Sequence, residues 1–215
     1  SQAIPRFEDA KLLTGRGDFI DDENAHGQLH GFMVRSPYAH ADVGGIDISA
    51  ALEAPGVVAV YTGQDYMGAG WGTIPHIGPP VKRRGGADFI LPDFWPLAVD
   101  RVRMVGEGVA FVLAETAAQA RDAAELVMVD FNPLPASAVT ATALDDDAFV
   151  LWEDIGNNEA LVHEIGDKDG ADAAFNKAEH IVEQRFNISR VLGNAMEMRG
   201  CLAIHDARSD HYTLR

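Results

Sequence analysis

The sequence contains a single cysteine, Cys201, among its 215 residues. A lone thiol cannot form an internal disulfide framework, and it cannot supply the several sulfur ligands of an iron–sulfur cluster or a structural zinc site. Because Cys201 lies in the apolar run 201–204, we expect its thiol to be buried and structural rather than reactive.

Basic residues are also scarce. The chain has 17 Lys and Arg against 33 Asp and Glu, which makes a formal net charge of −16. Nucleic-acid binding needs clustered Lys and Arg that neutralise phosphates, so this charge argues against a nucleic-acid partner. The one basic run, 82–84, lies between a Pro-Pro and a Gly-Gly pair. It is interpreted as a solvated loop, with contact to a partner chain as the alternative.

Long apolar runs and targeting signals are missing from the sequence. No apolar stretch approaches the ~20 residues that a membrane-spanning helix requires, so no membrane span is expected. The first residues lack the apolar core of an export signal, although a processed leader would already be gone. The cytoplasm is therefore taken as the default location.

The sequence also lacks convincing examples of the common short motifs of catalysis and metal binding. The glycine-rich segments 15–17 and 68–72 neither follow a clean strand nor open a helix, which argues against a phosphate loop. Of the eight histidines, His26 and His30 are four apart but are separated by Gly27 and run into a predicted strand. The segment 167–170 lacks the later ligands of a calcium loop and is interpreted as a turn before a helix.

The most informative stretch that is present, 101–135, predicts a strand, a short helix and a strand in succession. An apolar run at 109–114 follows a Gly-Glu-Gly turn, and 126–131 is again β-branched and apolar. Between them, Thr116 and Gln119 fit a Thr-x-x-Gln capping box before a helix that is nearly all alanine. Small alanines let a helix lie close to a sheet, so the prediction is a layered α/β module.

Shorter elements are predicted on both sides of this stretch. Upstream, strands are expected over 28–34, 46–48 and 56–61, and Ser49 is expected to cap a single helical turn that ends at Glu53. Residues 67–95 contain mostly Gly, Pro and isolated aromatics, which favours a long surface excursion that serves as a contact region.

Residues 132–135 indicate a linker that leaves the first domain. Beyond it, a helix is expected over 171–178, and a long strand over 179–186 whose mixed faces suit contact with other protein on both sides. Two further strands are predicted at 201–205 and 211–214. Because the second of these stops at Arg215 without a cap or a turn, we expect the sequence to be the N-terminal piece of a longer polypeptide.

Seven segments resemble, in order, the blocks of one family: the large molybdenum-binding subunits of the xanthine dehydrogenase, aldehyde oxidase and carbon monoxide dehydrogenase group. They are 13–22, 28–41, 46–49, 55–63, 101–135, 164–170 and 196–203. Seven blocks in the family's order are far more specific than any one of them. The resemblance implies an α/β (α+β) fold with an α/β hammerhead domain over 1–137, a linker over 138–160, and the beginning of a molybdopterin-binding domain over 161–215.

The resemblance also implies a chemistry and a set of partners. In this family the full-length subunit oxidises its substrate with oxygen from water at a molybdenum cofactor, and electrons pass to iron–sulfur clusters and usually a FAD. The implied partners are the remainder of the large subunit, an iron–sulfur subunit and a FAD subunit. None of these cofactors is expected to bind this segment alone, which is expected to be inactive when isolated.

The family's catalytic glutamate, and the glutamine beside the metal, map beyond Arg215, so no catalytic, cofactor-binding or metal-binding residue is assigned. Glu197 belongs to a different family block and is interpreted as a structural carboxylate, paired with Arg199 or a nearby backbone amide, rather than as a catalytic base. Two family prolines are replaced, by Gly108 and Met198. Since glycine lacks the fixed φ of proline, the loop at Gly108 is expected to be less rigid.

Two functions stay open. The favoured one is a structural, subunit-organising fragment of a molybdenum hydroxylase whose substrate is carbon monoxide, an aldehyde or an N-heterocycle. The block 164–170 looks closest to carbon monoxide dehydrogenase large chains, but the same scaffold serves the other substrates. The alternative is a freestanding, non-catalytic interaction module that has the hammerhead fold.

Overall fold

The computed structural model describes residues 4–75, 82–86, 88–189 and 193–215. The chain divides into two compact units: a larger one, Leu29–Asn176, and a smaller one that combines Ser1–Gln28 with Lys177–Arg215. The helices of the described residues are α1 (Asp9–Leu13), α2 (Ser49–Leu52), α3 (Gly63–Gly68), α4 (Ala117–Ala124) and α5 (Lys168–Lys177). The strands are β1 (His30–Arg35), β2 (Ala41–Asp47), β3 (Val57–Thr62), β4 (Arg101–Val102), β5 (Gly108–Ala114), β6 (Met128–Pro133), β7 (Ala203–Asp206) and β8 (His211–Leu214).

The larger unit contains two antiparallel three-stranded sheets. One has the strand order β1-β5-β3, and the other has the order β4-β2-β6. The strand, helix and strand predicted within 101–135 are confirmed as β5, α4 and β6. However, β5 and β6 lie in different sheets, so α4 joins the two sheets rather than crossing over within one.

Helix α4 packs as its alanines predict. Ala120, Ala123 and Ala124 are buried, and the last two join a core cluster that contains Val60 and Val112 of the first sheet. A methyl group is the largest side chain that such a close approach allows, because protein interiors are packed without spare volume. The alanine-rich sequence is therefore what sets the distance between the helix and the sheet.

The start of α4 confirms its predicted cap. The hydroxyl oxygen of Thr116 accepts a hydrogen bond from the backbone N–H of Gln119 at 3.2 Å. The side chain of Gln119 differs from the usual box, since its Oε1 accepts from the Thr116 hydroxyl at 2.9 Å. One orphan N–H at the helix start is thereby satisfied.

The prediction for Ser49 was wrong in detail. Ser49 is the first residue of α2, not the cap that precedes it. The carboxylate of Asp47 accepts from the Ser49 backbone N–H at 2.9 Å, and hydrogen bonds from Ser49 lower the pKa of Asp47. Ser49 is a typical capping residue, but Asp47 accepts the hydrogen bond instead, because β2 ends at Asp47.

Gly108 does not lie in a loop. It is the buried first residue of β5, and its carbonyl accepts from the Ala98 N–H at 2.8 Å. The special turn conformation belongs to Gly106, whose φ is +88°. A Cβ at Gly108 would lie 2.7 Å from the sulfur of Met33, so glycine here allows close packing of β1 against β5.

The excursion over 67–95 is largely irregular where it is described, as predicted, with residues 76–81 and 87 outside the described residues. The interpretation of 82–84 as a solvated loop was wrong for Arg83, which is half-buried. Its guanidinium donates to the carbonyl of Glu159 and to Oδ1 of Asn157. These partners are more than seventy residues away along the chain, and no local pattern reveals them.

The smaller unit contains α1 and the β7–β8 hairpin, which pairs Ala203 with Leu214 and confirms both predicted strands. The strand predicted over 179–186 was wrong, since these residues have no regular structure and are exposed. A strand needs a hydrogen-bonded neighbour, and the described residues offer it none. The expectation of a buried Cys201 was also wrong, because its side chain is exposed where no layer of structure covers it.

Helix α5 confirms the helix predicted over 171–178 and begins three residues earlier, at Lys168. The turn predicted over 167–170 was therefore wrong for 168–170, which form the first turn of the helix. The carboxylate of Asp167 accepts from the backbone N–H of Gly170 at 2.9 Å, in the manner of an N-cap.

Candidate functional site

An apolar pocket of the larger unit lies on the face of the β1-β5-β3 sheet that is turned away from α4. Side chains alternate along β5, so Ala110 and Val112 are buried toward the helix while Phe111 and Leu113 point to the opposite face. A pocket of about 440 Å³ opens on this second face. The described residues that line it are Met33, Tyr61, Asp65, Tyr66, Ala69, Trp71, Pro96, Leu97, Phe111 and Leu113.

Aromatic contacts shape the wall of this pocket. The ring of Tyr66 meets Trp71 at 5.1 Å and Trp95 at 6.4 Å between centroids, both edge to face. The Tyr66 hydroxyl donates to the carbonyl of Gly72 at 3.2 Å, which ties the segment after α3 to the helix. Two rings on the described wall are exposed, Tyr61 by about half and Trp71 by 61%.

Asp65 is the only acidic residue among the described residues that line the pocket, and its carboxylate is already engaged. It accepts from the backbone N–H of Thr62 at 2.8 Å and from the Thr62 hydroxyl at 2.7 Å, which completes the capping box of α3. These hydrogen bonds lower the pKa of Asp65. The pocket can therefore make apolar and aromatic contacts, and its described lining offers no free carboxylate for chemistry.

Metal-binding geometry is absent from the described part of the chain, where no group of three or more His, Cys, Asp or Glu side chains gathers. His26 and His30 form no such group there. Similarly, none of the described helices is long and apolar enough to cross a membrane.

Glu197 makes a structural contact within the smaller unit. Its Oε1 accepts from the backbone N–H of Ile20 at 3.3 Å. The neighbouring Gly200 lies against the same residue, since a Cβ there would be 3.2 Å from the Ile20 side chain. A carboxylate in this position helps to hold the segment 196–200 against the beginning of the chain, which is separated from it by 177 residues in sequence.

His40 is a buried polar residue that sequence reasoning did not single out. Its Nδ1 lies 2.8 Å from the carbonyl oxygen of Pro135, and a carbonyl can only accept, so Nδ1 carries the proton. The other ring nitrogen, Nε2, is buried without a partner among the described residues. The ring also packs on Phe149 at 5.0 Å. His40 therefore anchors the chain after β6.

Comparison with known families divides the chain in two. The family model described as "Aldehyde oxidase and xanthine dehydrogenase, a/b hammerhead domain" matches residues 14–135. The model described as "Molybdopterin cofactor-binding domain" matches residues 152–215. The two matches follow each other in the order that the sequence resemblance implies.

Individual proteins agree with these matches. The chain is 39% identical to the nicotine 6-hydroxylase large subunit of Paenarthrobacter nicotinovorans, over 98% of this chain and 25% of that protein. It is 35% identical to the carbon monoxide dehydrogenase large chain of Afipia carboxidovorans, over 97% of this chain and 26% of that protein. The chain thus spans about a quarter of the length of these relatives.

Solved structures share the fold. Quinoline 2-oxidoreductase from Pseudomonas putida 86 superposes with a TM-score of 0.81 at 32% identity, over 98% of this chain and 26% of that one. A Cu,Mo-containing carbon monoxide dehydrogenase superposes with a TM-score of 0.79 at 34% identity, with the same coverage. The α/β hammerhead and molybdopterin-binding assignments are therefore confirmed, and the chain belongs to the aldehyde oxidase and xanthine dehydrogenase family.

Proposed function

We propose that this chain is the N-terminal portion of the large subunit of a molybdenum hydroxylase. The observation that carries the proposal is the ordered pair of family matches, over 14–135 and 152–215, within an alignment that covers nearly the whole chain. In this proposal residues 1–137 form the hammerhead domain, 138–160 the linker and 161–215 the beginning of the molybdopterin-binding domain. The complete enzyme would work in the cytoplasm.

The described residues of 152–215 do not by themselves make a site for the molybdenum cofactor. Almost all residues after 162 are exposed, and no cluster of candidate ligands gathers among those described. We assign no catalytic step to them. The role proposed for the segment is structural and subunit-organising, with the cofactor held mainly by the remainder of the large subunit and with iron–sulfur clusters and FAD on partner subunits.

For the substrate, we propose to test N-heterocycles first, then carbon monoxide and aldehydes. Two similar proteins carry the names of N-heterocyclic compounds, nicotine and quinoline, and another is named for carbon monoxide. The exposed pocket beside Trp71 is not offered as the substrate site, because the described residues that line it include no free carboxylate.

The test is an assay of the complete enzyme with its partner subunits. The purified complex is analysed for bound molybdenum and is supplied with each substrate class and an artificial electron acceptor in water enriched in oxygen-18. We expect molybdenum to be present and one heavy oxygen atom to appear in the product of the true substrate. A complex without molybdenum and without turnover on all three classes would refute the enzyme and favour the freestanding interaction module.

A further inference from the structure

The segment 143–162, which we call the strap, follows β6 and contains one short 3-10 turn, Glu153–Ile155. It begins in the gap between the two family matches, which end at 135 and begin at 152, and it runs into the second match. A segment of this kind can be a free linker or a fixed part of the larger unit. The contacts that it makes distinguish the two.

The first set of contacts comes from Arg101 on β4. Its Nε donates to Asp42 on β2 at 2.6 Å, and its Nη1 donates to Glu153 of the strap at 3.3 Å. The hydrogen bond to Asp42 is the main cause that raises the pKa of Arg101. The side chain of Arg101 is only 23% exposed, so one guanidinium bridges the sheet and the strap from a sheltered position.

Two further arginines hold backbone atoms of the strap. Arg103 donates through Nε to the carbonyl of Leu151 at 3.3 Å, and its guanidinium lies 5.3 Å above the ring of Trp152. Arg83 donates through Nε to the carbonyl of Glu159 at 3.0 Å and through Nη2 to Asn157 at 2.9 Å. The planar guanidinium can serve two partners at once in this way, which an ammonium group does less well.

The strap also closes on itself through Asn158. Its Nδ2 donates to the carbonyls of Ala143 and Phe149 at 3.0 and 2.8 Å, and its Oδ1 accepts from the N–H of Leu151 at 3.1 Å. All hydrogen-bonding positions of the amide except one lone pair are therefore used. The ring of Phe149 in turn packs on the buried His40.

The chain beyond the strap differs. Ile165 is 92% exposed, and Gly166 has a φ of +116° and no atom within 4 Å of where a Cβ would be. A single exposed ion pair contributes little to stability. Here, however, one short segment is held by several contacts at once: hydrogen bonds to its backbone carbonyls, an aromatic contact, and the hydrogen bonds of the Asn158 amide. We propose that the strap is a fixed part of the larger unit, clamped by Arg83, Arg101 and Arg103, and that backbone freedom begins only after it, at 163–167.

The proposal rests on contacts within the chain and not on the proposed enzymatic activity. It is tested by hydrogen–deuterium exchange of the full chain, followed by mass spectrometry. We expect peptides from the strap to exchange more slowly than the unstructured stretch 179–189. Equally fast exchange of the two segments in the unmodified chain would overturn the proposal.

Two substitutions address the clamp itself. Arg103→Lys keeps the charge but loses the planar donor group, and Asn158→Asp keeps the acceptor but loses both donors to carbonyls. Each is expected to accelerate exchange in the strap about tenfold. The peptide that contains β5 is expected to keep its exchange rate, which shows that the fold is intact. No acceleration in either variant would overturn the proposal.

Arg121→Lys is the matched control. Arg121 also lies over an aromatic ring, that of Phe32 at 5.9 Å, but it belongs to α4 and makes none of the strap contacts described above. The control is expected to leave exchange in the strap unchanged. If it accelerated the strap as much as Arg103→Lys does, the effect would be global and the clamp would be refuted.

Discussion

The close approach of α4 to its sheet makes Ala123→Leu the most informative substitution. Ala123 is fully buried, and its neighbours in the core cluster include Ala51, Val60, Ala110 and Val112. Leucine adds three carbon atoms, whose burial would be worth about 2.4 kcal/mol if there were room for them. There is no room, because the surrounding residues come from α2, β3 and β5 and are themselves closely packed.

The expected result is therefore a net loss of stability. Overpacking of a filled core costs about 1–3 kcal/mol, and we expect the upper half of that range because α4 must move away from three elements together. For a chain of this size each kcal/mol shifts Tm by roughly 2–4 °C, so Tm should fall by about 4–12 °C. Urea and thermal unfolding followed by circular dichroism would measure the change.

The same substitution at an exposed position of the same helix is the control. Ala118 lies on the outer face of α4, and Ala118→Leu is expected to change the free energy of unfolding by less than about 0.5 kcal/mol. If Ala123→Leu were as stable as this control, the helix would not be held at the distance that the structure shows. The argument from small alanines would then be refuted.

Three other predictions follow from local contacts. Thr116→Ala removes the cap of α4 and is expected to lower the free energy of unfolding by about 1 kcal/mol, measured by urea unfolding against the unmodified chain. Asp65 has a lowered pKa because of Thr62, so its stabilisation is present above its unfolded pKa of 3.8 and is lost as pH falls through the lower folded value. Asp65→Asn should therefore lower Tm at pH 7 and leave it unchanged near pH 2; an equal loss at both pH values would contradict this. Cys201 is exposed, so a thiol reagent should modify it in the purified, folded chain at the rate of a free thiol, and protection until unfolding would show the exposure to be wrong.

Local signals predicted the elements that depend on neighbours along the chain. The cap at Thr116 and the β7–β8 hairpin use partners close by along the chain, and both were predicted correctly. The error at Ser49 has the same origin, since two capping residues, Asp47 and Ser49, compete within three positions. Because β2 ends at Asp47, it is Asp47 that accepts the hydrogen bond at the start of the helix.

Signals that depend on distant partners were missed. Arg83 was expected to be solvated, but Asn157 and Glu159 fold back onto it. Cys201 was expected to be buried because its neighbours are apolar, yet apolar sequence buries a residue only when another layer is present to cover it. His40 went unnoticed because its partners, Pro135 and Phe149, are about a hundred residues away.

The sequence by itself determined the family, the order of the two matched regions and most of the local elements, because seven motifs and short-range caps are written in consecutive residues. The tertiary structure alone decided that β5 and β6 belong to different sheets, that one sheet face opens into an aromatic pocket, and that the strap is held by three arginines. The physical reason is that pairing, burial and ion pairs are properties of surfaces brought together from distant segments. The sequence pattern shows which residues of a segment are apolar, charged or able to cap, and the fold determines which segments come into contact.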